Sequence, residues 1–539
     1  MKFTRWDDTA LSSWIYLLFF LPLLYVVYVA VPKRHRWAVL LAASCAFCWL
    51  VSRWLVAYVL AAAFVAWASA LLVDRARDKG KKGRQPGETR GERKARKALT
   101  KRRMKAACAA GVCILLGTLV VVKYGAFLIS AIDGAAGALG VGAPLAVPEA
   151  MALPLGISFY TLAAVSYVVD VYRGKYAACR SLGTVALFVA YFPALTEGPI
   201  GRFDQLAGQL RAGEPARGER RAYGVQLILW GLVKKIVVAD RLAPLVNELY
   251  DHHASYSGLM VVLAAVLYTL QLYADFSGVV DIARGSSELF GVTLARNFEQ
   301  PFFSRSVNEF WRRWHMSLGS WLRDYVFYPV SLSGATRRLS VWARRRFSGR
   351  ASQLIPATLA LLAVWSATGI WHGAAWKYLA YGLYYFCIVM VGTLLEPAIR
   401  SFFAWSGIDR GGRFARTVSL ARTLVLVCVG MMLFRADTLG AFRAMLRSVW
   451  VWPGTEPLTS GSVFAHGADR YDLLVVAVFA ALMLAVDVAH ERGVAFRPLL
   501  LGHGTAVCWA SGFALLACAI VFGAYGVGYV PVPSIYAKF

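Results

Sequence analysis

The chain has 539 residues, of which 58% are hydrophobic and only 16% are charged. Soluble globular chains are nearer half apolar and a quarter charged, so this composition excludes an ordinary soluble domain. The net charge of +28 would suggest a nucleic-acid partner in a soluble protein, but lysine and arginine collect in the cytoplasmic loops of membrane proteins. We therefore expect an all-α polytopic membrane protein, with the lipid bilayer and no nucleic acid as a partner.

Apolar runs that approach the ~20 residues of a spanning helix recur along the whole chain, and no internal repeat accompanies them. They predict about 11–13 membrane segments. The candidate segments are 14–31, 37–51, 54–73, 106–130, 151–171, 183–200, 222–240, 258–278, 353–371, 377–396, 417–434, 471–489 and 505–530. The nine cysteines show no metal-ligand spacing, so no metal site is expected.

The clearest linker, 74–105, holds fifteen lysines and arginines against four acidic residues. This composition predicts a solvated, partly disordered loop on the cytoplasmic side. Contact with nucleic acid or with anionic lipid is the alternative that the charge alone leaves open.

Segment 183–200, "GTVALFVAYFPALTEGPI", departs from a simple span. It has basic sequence on both sides and contains two prolines, two glycines and Glu197. A re-entrant segment fits this pattern better, and irregular backbone at membrane depth needs protein or a water-filled cavity around it. Glu197 is therefore a candidate for a cavity wall.

Polar residues interrupt the apolar stretch 269–285, "TLQLYADFSGVVDIARG". They are Gln271, Asp275, Ser277 and Asp281. Buried charges need partners, so we expect the two aspartates to pair with Arg284 or with arginines of the next helix. A pair of catalytic carboxylates is the alternative.

His315 lies in "FWRRWHMSLGSWLRDY" (310–325), an amphipathic stretch rich in arginine and tryptophan. Ser306 and Glu309 form a capping-box pattern that predicts the start of a helix. Helical spacing then places four residues on one face: Trp311, His315, Leu318 and Leu322. The residues alone fit an interfacial helix. Its histidine then either forms only a structural hydrogen bond to a neighbour or has a functional role.

His372 ends the apolar run "PATLALLAVWSATGIWHGAAW" (356–376). An ionisable residue at the end of such a run indicates a functional site, and histidine is the most usual general base. Gly369 and Gly373 flank it, and their missing side chains would let a substrate approach. A structural core histidine is the alternative.

Six stretches resemble the motifs of the membrane-bound O-acyltransferase family, in particular its bacterial branch. They are "LPLGISFYTLAAVSYVVDVYRG" (153–174), "YFPALTEGPIGRF" (191–203), "LYADFSGVVDIARG" (272–285), "NFEQPFFSRSVNEFWRRWHMSLGSWLRDYVFYP" (297–329), "GIWHGAAW" (369–376) and "LFRA" (433–436). The resemblance implies one membrane domain over 1–539. Within it lie N-terminal segments 1–131 with the basic loop, a catalytic core 151–436, and C-terminal segments 437–539.

The resemblance also implies a helical bundle around a central tunnel, with the two family histidines near its narrow point. His372 takes the position usually regarded as catalytic. His315 takes the second position, where other branches carry asparagine or aspartate, which favours orientation or substrate contact over proton transfer. The remaining candidate tunnel-lining or substrate residues are Trp371, Trp376, Trp311, Asp275, Ser277, Gln271, Glu197 and Arg323.

The implied reaction is acyl transfer to a hydroxyl in the bacterial plasma membrane. The donor is a thioester substrate, acetyl-coenzyme A or an acyl carrier protein, and no bound cofactor is expected. O-acetylation of a surface or exported polysaccharide, directly or through an extracytoplasmic transferase partner, is the leading hypothesis. D-alanyl transfer from a carrier protein to teichoic acid is the alternative within the enzyme class. A transporter and an inactive membrane scaffold are the non-enzyme alternatives.

Overall fold

The computed structural model describes residues 11–81, 88–140, 152–465, 468–525, 529 and 534. These residues form two compact units. One comprises Met1–Gly224 with Ala283–Ala295, and the other comprises Val225–Ile282 with Arg296–Lys538. The predicted limits of a catalytic core, 151–436, stay a prediction.

Both units are built from helices. In chain order up to residue 232, the α-helices are α1 (Leu21–Ala30), α2 (Arg36–Ser52), α3 (Val56–Lys81), α4 (Arg90–Leu119), α5 (Gly125–Ala138), α6 (Ile157–Arg173), α7 (Leu182–Ala190), α8 (Phe192–Leu195), α9 (Phe203–Ala212) and α10 (Gly218–Leu232). Those that follow are α11 (Asp240–Asp251), α12 (Leu259–Leu289), α13 (Val307–Arg313), α14 (Met316–Leu322), α15 (Tyr328–Ser331), α16 (Gly334–Arg346), α17 (Gly349–His372), α18 (Trp376–Ser406), α19 (Arg413–Arg435), α20 (Leu439–Ser448), α21 (Glu456–Thr459), α22 (Arg470–Glu491), α23 (Phe496–Gly502) and α24 (Thr505–Phe522). Short π-helices lie at Tyr16–Phe20, Val120–Tyr124, Val233–Ala239 and Arg323–Phe327.

Nine helical stretches in the described ranges are long and apolar enough to cross a membrane, which confirms an all-α polytopic membrane protein. The number is below the predicted 11–13 for identifiable reasons. Predicted segments 37–51 and 54–73 fall in one helical stretch, Lys33–Gly80, with a 3₁₀ turn at Arg53–Leu55, and the segment 14–31 appears as the shorter Tyr16–Ala30. The segment 151–171 contains only α6, which has 17 residues, and the segment 183–200 contains α7 and α8, which have 9 and 4 residues.

Segment 183–200 does not form a spanning helix. Helix α7 has nine residues, about 13 Å of helix against a hydrocarbon core of about 30 Å. The four-residue α8 follows, and Glu197 lies beyond it with only 2% of its surface exposed. A segment too short to span, with a buried carboxylate at its end, agrees with the expected irregular backbone, and its re-entrant path stays a prediction.

The basic segment 74–105 is mainly helical, so the expectation of a partly disordered loop is wrong for the residues that are described. Helix α3 continues to Lys81, and α4 begins at Arg90. Thr89 and Glu92 form a capping box at the start of α4, and lysine, arginine, alanine and glutamate are good helix formers. Residues 82–87 lie outside the described residues.

The first unit packs around α6. Fourteen of the seventeen residues of α6 are buried. A cluster of aromatic rings adds to this core, with Phe192 contacting Tyr16, Phe20 and Phe47 at centroid distances of 5.5 to 6.2 Å. Burial on this scale makes α6 an internal helix rather than one that faces lipid.

The second unit packs around α12, which meets α10 through a pair of glycines. A methyl group on Gly231 would lie 2.5 Å from the carbonyl oxygen of Gly278, and one on Gly278 would lie 2.8 Å from that of Gly231. Small residues allow this close backbone approach in membrane helices. The apolar helices α22 and α24, by contrast, are only 17% and 11% buried over their most apolar 18 residues. Exposed apolar faces of this kind are suited to lipid contact.

Helices α17 and α18 depend on a similar glycine contact, which gives a testable stability difference. A methyl group on Gly382 of α18 would overlap the backbone oxygen of Trp365 in α17, whereas a methyl group on Gly392 of the same helix would have no heavy atom within 4 Å. We expect Gly382→Ala to destabilise the protein by about 1–3 kcal/mol through overpacking. Gly392→Ala should leave the thermal unfolding temperature in detergent unchanged or slightly raised. Equal unfolding temperatures for the two variants would contradict this close packing of α17 on α18.

Candidate active site

His372 is the last residue of α17, and aromatic rings surround it. Only 2% of its surface is exposed. Its imidazole lies 5.5 Å from the ring of Tyr381 and 5.0 Å from that of Phe434, both nearly perpendicular to it. Tyr378 contacts it at 6.4 Å. Side chains from α18 and α19 therefore enclose an imidazole at the end of a spanning helix.

The two glycines beside His372 serve helix packing rather than substrate approach. A methyl group on Gly369 would overlap the carbonyl oxygen of Tyr378, and one on Gly373 would lie 2.5 Å from the ring of the same tyrosine. The space above both glycines is thus filled by Tyr378. The interpretation that they leave room for a substrate is wrong, because α18 and its first turn occupy that room.

The helix predicted through His315 is broken at the histidine. Helix α13 begins after Ser306, whose hydroxyl accepts the Glu309 N–H, so the predicted start is confirmed. The Glu309 carboxylate accepts the N–H of Arg305 rather than that of Ser306, so the capping box is displaced by one residue. Helix α13 ends at Arg313, His315 has a φ of +46°, and α14 begins at Met316. The shared face of Trp311, His315, Leu318 and Leu322 therefore does not exist.

A short antiparallel pairing explains the break. The Glu299 N–H donates to the Arg313 carbonyl, and the Met316 N–H donates to the Asn297 carbonyl, both at 2.9 Å. Between them Phe298 and Trp314 form a β-bridge. Their rings also pack at 5.0 Å, nearly perpendicular. Backbone groups that would have continued the helix are satisfied by this partner instead.

His315 is buried beside Trp371, which also contacts His372. The His315 ring lies 5.5 Å from the Trp371 ring, and the Trp371 ring lies 5.0 Å from the His372 ring. Phe276 meets the His315 ring edge-on at 4.9 Å, and the Asn297 side-chain oxygen lies 3.1 Å from His315 Nδ1. Burial lowers the pKa of His315 from 6.5 to about 3, so its imidazole is neutral near pH 7.

The lowered pKa predicts a pH dependence of stability. Below pH 6.5 the unfolded state binds a proton at His315 that the folded state excludes down to about pH 3. We expect the free energy of unfolding to fall as the pH decreases from about 7 to 5, by at most about 1.4 kcal/mol per pH unit from this group. His315→Asn, which also suits a positive φ, should remove that component. Identical pH slopes of thermal unfolding in detergent for the two proteins would contradict it.

The two aspartates of α12 form ion pairs with lysines, and their expected pairing with arginines stays a prediction. Asp275 pairs with Lys235 at 2.7 Å, and Lys235 also contacts Asp240 at 2.6 Å. Lys234 reaches Asp281 at 2.5 Å and donates to Ser277 Oγ at 3.1 Å; Ser534 donates to Asp275 at 3.0 Å. Two lysines of the π-helix Val233–Ala239 thus bind α12 close to Phe276. Phe276 is the α12 residue that packs on His315.

The other predicted site residues are placed in different surroundings. Trp311 packs on Trp365 and Tyr385 at 5.3 and 4.8 Å, and Gln271 is buried in α12. Trp376 is 59% exposed at the start of α18. Arg323 is exposed and pairs with Asp324 at 3.2 Å. Glu197 is buried in the first unit. The structure brings together His315, Trp371 and His372; tunnel-lining roles for the remaining residues stay predictions.

Sequence reasoning missed two kinds of residue at this site. Asn297 bonds the His315 ring, yet it lies eighteen positions away and no pattern links the two. Lys234 and Lys235 sit within the apolar segment 222–240, and ionisable residues in such a segment mark functional or structural charge pairs. The lysine pair therefore carried a signal that sequence reasoning could have used.

Comparisons with known proteins show what the chain is similar to. The family model for MBOAT, the membrane-bound O-acyltransferase family, matches residues 179–343, which include His315. His372 lies beyond the end of that match.

Three relatives extend the similarity. The chain is 33% identical to the probable alginate O-acetylase of Azotobacter vinelandii over 79% of this chain and 75% of that protein. It is 28% identical to the peptidoglycan O-acetyltransferase of Helicobacter pylori over 46% of this chain and 49% of that protein. It is 30% identical to the teichoic acid D-alanyltransferase of Streptococcus thermophilus over 43% of this chain and 54% of that protein. The family-model match and the 33% identity over most of both chains to the Azotobacter protein show that the chain belongs to the membrane-bound O-acyltransferase family.

Proposed function

We propose that this acyltransferase moves acetyl groups from a cytoplasmic thioester to hydroxyls of a cell-surface or exported polysaccharide in a bacterial plasma membrane. The observation that carries the proposal is the contact of one tryptophan, Trp371, with the imidazoles of both His315 and His372. The names of the Azotobacter and Helicobacter relatives support acetyl as the acyl group and a glycan as the acceptor.

In the proposed reaction, the acceptor hydroxyl attacks the carbonyl carbon of the thioester. His372 takes the hydroxyl proton as the new C–O bond forms; the C–S bond then breaks, and the thiolate leaves with a proton returned by His372. A thioester needs little activation at its carbonyl, whereas a hydroxyl needs a base. Covalent relay of the acyl group through His372 is the alternative path.

Charge that develops on the carbonyl oxygen needs hydrogen-bond donors. The indole N–H of Trp371 can only donate, and its ring adjoins both histidines. Trp371 is therefore the proposed donor to the oxyanion. His315 would contact and orient the substrate.

The location of His372 suits transfer across the membrane. Helix α17 starts next to the arginine-rich α16 and ends at His372. Because basic ends face the cytoplasm, the histidine end of α17 would lie toward the outer side. The thioester donor would thus react far from its cytoplasmic entry point, either directly with the glycan or with an extracytoplasmic transferase that passes the acetyl group on.

A second candidate is D-alanyl transfer from a carrier protein to teichoic acid, which the name of the Streptococcus relative favours. Purified protein in lipid vesicles distinguishes the two. We expect radiolabelled acetyl-coenzyme A to acetylate an added polysaccharide, with no label transferred from a D-alanyl carrier protein. Transfer of D-alanine alone would reverse the assignment, and transport of a donor without any transfer to a hydroxyl would exclude both.

A further inference from the structure

The side-chain oxygen of Asn297 has three polar contacts within hydrogen-bond distance. The backbone N–H of Ser317 donates to Oδ1 at 3.0 Å, and the Ser317 hydroxyl donates to the same oxygen at 2.9 Å. His315 Nδ1 lies 3.1 Å from it. Asn297 is 1% exposed, and its backbone carbonyl accepts the N–H of Met316. Both ends of this asparagine therefore hold the turn that carries His315.

The orientation of the Asn297 amide follows from one of these contacts. A backbone N–H can only donate, so the Asn297 atom that faces Ser317 N must be the oxygen. An amide turned by 180° would set its NH₂ group against that N–H, leaving two donors in contact inside a buried site. Such a buried mismatch is costly. Oδ1 is thus also the atom that faces His315.

The protonation of the His315 ring follows in turn. An amide oxygen has no hydrogen to give, so the Nδ1 atom that bonds it must carry one. A neutral imidazole has a single N–H, which leaves the lone pair on Nε2. The deep burial of the ring, which disfavours the imidazolium form, agrees with the neutral state.

We propose that Asn297 is a positioning residue that locks His315 in its Nδ1–H tautomer, so that Nε2 accepts a hydrogen bond from the acceptor sugar. This step rests on the proposed function. An oxyanion or a thioester carbonyl is an acceptor and cannot bind a lone pair, whereas a sugar hydroxyl can donate to it. The reacting hydroxyl gives its only proton to His372, so the donor to His315 is a neighbouring hydroxyl of the same sugar. The acceptor would therefore carry at least two nearby hydroxyls.

The tautomer can be measured without any assay of activity. In protein labelled with ¹⁵N-histidine, the difference between the solid-state NMR spectra of wild type and His315→Asn isolates the two ring nitrogens of His315. We expect a protonated Nδ1 and an unprotonated Nε2. A protonated Nε2, alone or together with a protonated Nδ1, would overturn the proposal whatever the enzyme transfers.

Variants test the role of Asn297 itself. Asn297→Leu keeps the side-chain size but removes the acceptor, so the His315 proton should redistribute toward Nε2. Ser317→Ala is the matched control, since it removes one donor to Oδ1 and leaves the backbone N–H that orients the amide. We expect Ser317→Ala to retain the wild-type tautomer. An unchanged tautomer in a folded Asn297→Leu protein would refute the lock; if that variant fails to fold, the wild-type spectrum still decides.

Kinetics then separate positioning from general support of the fold. With polysaccharide as the varied substrate, we expect Asn297→Leu to raise KM about tenfold, the factor for one lost hydrogen bond, with a smaller change in kcat. With wild type, a sugar acceptor without the neighbouring hydroxyl should show the same tenfold rise in KM. With Asn297→Leu, removing that hydroxyl should raise KM no further. Additive losses would contradict the proposed pairing of His315 with that hydroxyl.

Discussion

Replacing His372 with alanine is expected to lower the rate of acetyl transfer by about 10²–10⁴-fold, the range for loss of a general base. The nearest second imidazole, His315, cannot substitute for it, because burial lowers its pKa to about 3 and makes it a weak base near neutral pH. The rate should be measured as radiolabelled acetyl transferred from acetyl-coenzyme A to polysaccharide by purified protein in vesicles.

The control for His372→Ala is His503→Ala, which changes an exposed histidine just after the end of α23 whose Nδ1 bonds the backbone carbonyl of Leu499. We expect it to retain full activity. Both variants should unfold at similar temperatures in detergent. Full activity of His372→Ala would exclude the general-base role. Label trapped on wild type by acid quenching before acceptor is added, and absent from His372→Ala, would favour covalent relay.

The sequence contained enough to predict the fold class and to name both histidines as candidates. Repeated apolar runs indicated membrane helices, and His372 stood out because it ends such a run. These features depend on local composition and on the lipid bilayer that surrounds the helices. The start of α13 could also be predicted from neighbouring residues, because the Ser306 hydroxyl accepts a hydrogen bond from the backbone N–H of Glu309, three residues later.

The surroundings of His315 depended on contacts that are distant in sequence. Helical periodicity through residues 310–325 is real, but the pairing of Phe298 with Trp314 gives the backbone different hydrogen-bond partners and ends the helix. Such tertiary competition is not visible in one chain without knowledge of which segments meet. Asn297 was missed for the same reason, since its role is defined by geometry around the turn.

The ion pairs of α12 are a further case in which distance in space decided the result. The arginines near Asp275 in sequence were the natural candidates, and the lysines that form these ion pairs lie about forty residues earlier. The contact of Gly231 with Gly278 brings the two backbones close enough for these lysines to reach. A lysine in an apolar run thus indicates a buried charge pair. Its partner can be identified only once it is known which helices pack together.

Lys235→Met should be among the most destabilising single substitutions in the second unit. The Lys235 side chain is 1% exposed and bonds Asp240 at 2.6 Å and Asp275 at 2.7 Å. Methionine would fill similar volume but leave two carboxylates in a buried setting without this cation. Removing one partner of a buried ion pair costs about 3–5 kcal/mol, mostly through the charge left behind. Thermal unfolding in detergent measures the loss.

Neutralising the stranded carboxylates distinguishes charge from packing. If charge is the cause, the triple variant Lys235→Met, Asp240→Asn and Asp275→Asn should recover most of the stability that Lys235→Met loses. Replacing all members of a buried ion pair together often leaves the free energy of unfolding unchanged. A triple variant as unstable as Lys235→Met would instead assign the loss to packing. Because Asp275 precedes the ring of Phe276 that lies 4.9 Å from His315, the rescued protein also tests whether the ion pair orients the site: restored stability with lowered acetyl transfer would mean that it does.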